Sequence, residues 1–138
     1  MNRMHAILFA AGLAFGSAFA PVAAGAHDGD KVTKAFEHAL PNAPGKTMTA
    51  VVVEYAPGAR SPSHRHAPSA FILAYVLEGQ IRSQVAGEPA RVFKPGETWY
   101  EMPGAHHVVS ENASKTKPAK LLAVFVATPG EVLTTYDK

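Results

Sequence analysis

The sequence contains no cysteine. Disulfide staples and thiolate metal sites are therefore excluded, and any bound metal has to be held by histidine, aspartate or glutamate, donors that suit Fe(II), Mn, Ni, Co, Cu(II) or Zn. Charge is scarce as well: Asp, Glu, Lys and Arg make up 17% of 138 residues, with a formal net charge of +2. So small a balance, with Lys and Arg scattered rather than gathered into a stripe, leaves no electrostatic footprint for nucleic acid. Internal repeats and low-complexity tracts are absent too. Proline and glycine are plentiful by contrast, 11 of each, and the length leaves room for one domain. A turn-rich all-β domain suits this composition better than a helical bundle.

The N-terminus reads as a targeting segment. Arg3 supplies a positive start, and Ala6 to Ala20 is an apolar run of small residues too short for a convincing membrane span. Ala18-Phe19-Ala20 is one small-x-small cleavage pattern, but Pro21 follows it awkwardly. Ala24-Gly25-Ala26 is the better one, with His27 as first mature residue. Residues 1–26 are thus expected to be a signal peptide. The mature, nearly neutral protein would be periplasmic or secreted, with no membrane attachment, and lack of cysteine does not argue against that compartment.

Residues 27–46 form a polar, turn-rich arm in which Val32, Phe36 and Leu40 stand at helical spacing before Pro41. That spacing fits a single helical turn or an arm laid over a barrel. From residue 47 to 138 the pattern is β throughout. Thr47 to Tyr55 is rich in β-branched residues, and Phe71 to Leu77 is a continuous apolar run ending at Glu78-Gly79. Gln80 to Val85 alternates as a returning hairpin partner would. Shorter strands are expected at 90–93, 98–102 and 106–110, a long one at 121–128, and an edge strand or tail at 131–136. Turns at Pro57-Gly58, Gly87, Pro95-Gly96, Pro103-Gly104 and Pro129-Gly130 separate them. Such short strands indicate an antiparallel sandwich or barrel.

Chemistry concentrates in two places. Pro62 and Pro68 keep the segment between them extended, so His64 and His66 project to the same side and Arg65 to the other. That is a chelating arrangement. A second cluster, Pro103-Gly104-Ala105-His106-His107, offers another imidazole after a turn, and only one of His106 and His107 can face inward.

Gly58, five residues, His64-Arg65-His66 and a strand ending at Gly79 resemble the first motif of the cupins, small double-sheet jelly rolls. Gly96, Gly104 and His107 resemble the second. The resemblance implies an all-β cupin barrel, a double-stranded β-helix, in which His64, His66 and His107 converge on one divalent metal, Fe(II) foremost, with Mn, Ni, Cu or Zn as alternatives. It also implies pairing into a homodimer through outer sheet faces, for which the run from Phe71 to Leu77 has enough outward side chains. Three departures stand out. The glutamate usual after the second histidine is absent, Ala70, Phe71 or Ile72 standing there by different alignments. The second-motif proline is displaced to Pro103, and Glu111 precedes Asn112 where an asparagine is usual. Glu101 or Glu111 would replace the missing carboxylate only if a strand bulged, since exposed glutamate is the norm. Trp99 and Tyr100 are expected near the barrel mouth. The function expected is a metal-dependent dioxygenase acting on a small organic substrate, or a non-catalytic small-ligand or metal-binding protein; the fold alone selects neither.

Overall fold

The structure, a computed structural model, describes residues 29–138. The signal peptide expected over 1–26 and the terminal His27 lie outside the described residues. Eleven strands and no helix make up the described chain: β1 (Asp30–Ala39), β2 (Thr47–Tyr55), β3 (Arg60–Ser61), β4 (His64–His66), β5 (Phe71–Glu78), β6 (Ile81–Val85), β7 (Arg91–Phe93), β8 (Thr98–Glu101), β9 (His106–Asn112), β10 (Ala119–Ala127) and β11 (Thr134–Tyr136). One sheet has the order β1-β2-β10-β5-β8. The other runs β11-β4-β9-β6-β7, with β3 also paired to β9. All pairings are antiparallel. This is the jelly roll that the two histidine motifs implied.

The helical spacing of Val32 and Phe36 proves to belong to a strand. β1 is an edge strand on β2, with a register shift between Lys34 and Phe36 that sends Phe36 outward, 50% exposed. Positions four apart share a face on a strand as well as on a helix, so the spacing alone could not separate them. The expected arm is, from Asp30, part of the barrel sheet.

Period-two alternation builds the interior. Along β5, Ile72, Ala74 and Val76 point inward and are buried, while Phe71, Leu73, Tyr75 and Leu77 point outward. The continuous apolar run is therefore not a strand buried on both faces; its two halves serve two surfaces. Ile72, Val76 and Ile81 are the largest fully buried side chains, and each such burial contributes about 1.5–3 kcal/mol. Gly79 is needed at the β5–β6 turn for two reasons. Its φ is +70°, and a Cβ there would run into the Pro118 carbonyl and Ala119.

Asn112, one position later than the second motif would have it, is a stitch in the barrel wall. Its Nδ2 donates to the carbonyls of Ala56 and Lys117 at 3.1 and 2.8 Å, and its Oδ1 accepts from Ser114 N at 2.9 Å. Glu111 faces outward to Arg82 at 3.4 Å and takes no part in the interior.

Candidate metal centre

The backbone register brings the histidines together. β4 presents His64 and His66 inward and Arg65 outward, and His64 pairs directly with His107 on β9. The turn at Met102 to Ala105 docks on β4: His66 N donates to Ala105 O at 3.0 Å, and Gly104 N to Ala67 O at 3.1 Å. That docking starts β9 in the register that turns His107 in and His106 out. One ring nitrogen from each of His64, His66 and His107 lies within 4.8 Å of the others, and all three residues are buried.

Each imidazole is held from behind. His64 Nδ1 donates to Pro62 O at 2.7 Å and His66 Nδ1 to Leu133 O at 3.1 Å. A carbonyl can only accept, so both rings carry a proton on Nδ1 and turn Nε2 toward the centre. His107 turns Nε2 toward Ser83 Oγ at 2.9 Å. Ligating histidines are typically oriented by a partner on the other ring nitrogen in this way. The strap Val132 to Tyr136 covers the group, with the Tyr136 ring 5.8 Å from His64 and β11 paired to β4. Outside the wall, His106 Nε2 meets Asp137 at 2.7 Å and Ser63 at 3.1 Å, tying β4, β9 and the strap together.

The missing carboxylate comes from the facing sheet. Glu101, 2% exposed, enters the same centre from β8, with Oε1 3.2 Å from His107 Nδ1 and Oε2 3.2 Å from His66 Nε2. It stands opposite Ile72, the position matching the usual glutamate, one strand over on the same rung. No bulge is involved. Trp99 Nε1 donates to Oε1 at 3.1 Å, but Oε2 receives no hydrogen bond. Trp99 shares the inner face with Glu101 and lines the cavity, while Tyr100 lies outside, 63% exposed and stacked on Phe71.

Electrostatics sharpen the picture. Burial lowers the pKa of His107 to about 4 against the attraction of Glu101, and burial likewise lowers that of His64. Burial alone would raise Glu101, but the His66 ring, the nearby His107 and the Trp99 N–H outweigh it and leave the pKa lowered. At neutral pH the centre thus presents neutral His64 and His107 beside a carboxylate. Its Oε2, which accepts no hydrogen bond, lies 3.2 Å from His66 Nε2. A buried carboxylate oxygen without a hydrogen bond, set among imidazole nitrogens, is a place where a bound cation would complete the polar matching.

A sign follows for the metal-free protein. Histidines held neutral in the fold regain protons on unfolding, so their contribution is complete above the unfolded pKa near 6.5 and is lost as pH falls toward about 4. The urea midpoint is expected to drop between about pH 7.5 and 4.5 with an unchanged slope. An unchanged midpoint would contradict neutral burial.

The family profile described as Cupin domain matches residues 51–125, more than half of the chain. The protein is a cupin. Solved structures agree with this fold. A recombinant oxalate oxidase in complex with glycolate has 26% identity and a TM-score of 0.61, the match covering 79% of this cupin and 55% of that chain. The DMSP lyase DddQ from Ruegeria pomeroyi DSS-3 has 22% identity and a TM-score of 0.54, over 64% of this cupin and 42% of that chain. The Cupin_2 domain of an XRE family transcriptional regulator from Enterobacter cloacae has 20% identity and a TM-score of 0.57, over 70% and 95%. This cupin thus spans about half of the length of the oxalate oxidase and the lyase. No curated protein matches it.

The donor set fits a divalent metal. Three back-bonded imidazoles and an under-satisfied carboxylate are what a borderline cation such as Fe(II), Mn, Ni, Cu(II) or Zn requires. Sequence reasoning found the three histidines. It admitted Glu101 only through a bulged strand, which β8 does not need, and it passed over Ser83 and the Leu133 carbonyl, although the shared parity of Trp99 and Glu101 was a usable signal.

Proposed function

We propose that this cupin is a mononuclear metalloenzyme of dioxygenase type, holding its metal on His64, His66, His107 and Glu101 and taking a small organic substrate into the barrel. The observation that carries the reading is the cation-seeking centre in the wall of a single cavity of ≈ 510 Å³. The rest of the cavity is largely apolar, lined by residues such as Val51, Val53, Leu121 and Phe125. A larger, less polar molecule than glycolate suits such a lining. A divalent iron bound there supplies Lewis acidity and one-electron redox chemistry. The chain's own residues do the rest: Pro62, Leu133 and Ser83 orient the rings, Glu101 brings negative charge, and the apolar walls exclude water.

Iron-loaded protein is expected to consume oxygen with at least one member of a panel of diketones, flavonols and catechol-like compounds, and to lose that activity in His64→Ala/His66→Ala. Silence across the panel would sink the enzyme. One observation favours the runner-up, a binding protein without turnover. The cavity's Asp30 and Tyr55 are already bonded to serines, leaving no idle acid or base. A ligand that raises the melting temperature and is recovered unchanged would mark that case.

The outer face of the first sheet supports pairing of two copies. Phe71, Leu73, Tyr75 and Leu77 are 39–43% exposed there, with Tyr100 and Met102 beside them at 63% and 60%. So continuous an apolar face is unusual on a monomer. Light scattering is expected to show a dimer that Leu73→Lys with Tyr100→Lys dissociates; a monomeric wild type removes the idea.

A further inference from the structure

The cavity has a second polar end. Asp30, Tyr55, Ser61 and Ser110 line it together with the histidines, and the registers place the two ends. His64 pairs with His107, and Ser61 pairs with Ser110 three residues further along β9, a separation of about 10 Å at the usual strand rise. Tyr136 forms part of the wall between them, near both His64 and Asp30.

The hydrogen bonds at this end have a forced direction. Ser61 Oγ donates its one proton to Asp30 Oδ2. It can therefore only accept from Tyr55, whose hydroxyl lies 2.9 Å away. Tyr55 has then used its proton, so at 2.8 Å it must accept from Ser110. Burial pushes the Tyr55 phenol up to about 12, so that proton stays in place. The chain runs Ser110 to Tyr55 to Ser61 to Asp30, and every hydroxyl proton in it is committed. What the hydroxyls of Ser61, Tyr55 and Ser110 still offer the cavity is lone pairs.

We propose that this chain is a donor-reading subsite, and that the pocket's ligand carries a hydroxyl or amino group about 10 Å from the atoms that meet the metal. The proposal deepens the metal-pocket reading above and rests on it. Against these three hydroxyl oxygens a carbonyl, ether or carboxylate would meet lone pairs only, whereas a hydroxyl or amine brings a proton that they can accept.

Asp30 sets the direction, and Asp30→Asn would release it. An asparagine amide can donate to Ser61, which then donates to Tyr55, which donates to Ser110, leaving the Ser110 proton for an acceptor. Tyr55→Phe frees the same proton by cutting the chain. The probes are a catechol bearing a hydroxypropyl arm and its methyl ether, titrated calorimetrically into zinc-loaded protein, which cannot turn them over. Wild type is expected to favour the hydroxyl probe by about tenfold or more, and both variants, once shown to hold zinc, to bring the two probes within about twofold. Equal binding by wild type, binding of neither probe, or a preference that persists in both variants overturns the subsite. The metal reading fails in a different readout, probe affinity that is the same with and without zinc.

Discussion

Replacing His64 and His66 together by alanine is expected to strip the protein of its metal. Structural zinc sites draw roughly 10–16 kcal/mol from complete ligand sets. Losing two of three imidazoles, both oriented from behind by Pro62 and Leu133 carbonyls, should lower affinity more than about a thousandfold. Elemental analysis of protein purified from its native compartment should show about one Fe, Mn, Ni, Cu or Zn per wild-type chain, and close to none in the variant. Equal metal in both would mean that the histidines are only pocket polar groups. The fold should survive, because Ile72, Val76 and Ile81 and the long pairings of β2, β10 and β5 are untouched.

Glu101→Gln should move two quantities in opposite directions. The glutamine oxygen can keep the bond from Trp99, and its amide replaces a carboxylate oxygen that has no hydrogen-bond partner 3.2 Å from His66 Nε2. The metal-free variant is therefore expected to melt at or a few degrees above wild type, an unmatched buried acceptor having been removed. A neutral amide is a poor ligand for a divalent cation, so metal affinity should fall by about a hundredfold or more, reducing the stabilisation at saturating metal by about 2.7 kcal/mol. Scanning calorimetry with and without zinc reads both. Lower metal-free stability combined with an undiminished zinc effect would remove Glu101 from the ligand set. Transplanting the carboxylate across the rung, Ile72→Glu with Glu101→Ile, should restore part of the affinity.

The contrast between the histidines and Glu101 shows what the chain made legible. His64 and His66 share a strand only three residues long, so a local rule, alternation, suffices to aim both. His107 was within reach because the turn at Pro103-Gly104 sets its parity. Glu101 depends on which strand lies beside β5, a pairing between positions 29 residues apart in the chain that no local pattern encodes. Ser83, the Leu133 carbonyl and the Asp30 relay were hidden for the same reason. Each reaches the cavity from a different strand or strap, and its partner is fixed by closure of the barrel rather than by its neighbours. β1 failed differently: a four-residue apolar spacing is common to helix and strand, and a bulge then turned Phe36 outward.

The sequence holds a single tryptophan, and its indole N–H is bonded to the carboxylate of the centre, with the ring 6.3 Å from that of His107. The protein's tryptophan emission is therefore a report from one address. Any change of charge on Glu101 perturbs the emitting state through that bond, and a paramagnetic ion at the histidines lies well within quenching range. The molecule carries its own optical gauge, which allows occupancy to be followed in real time, without a label, in every variant that keeps Trp99.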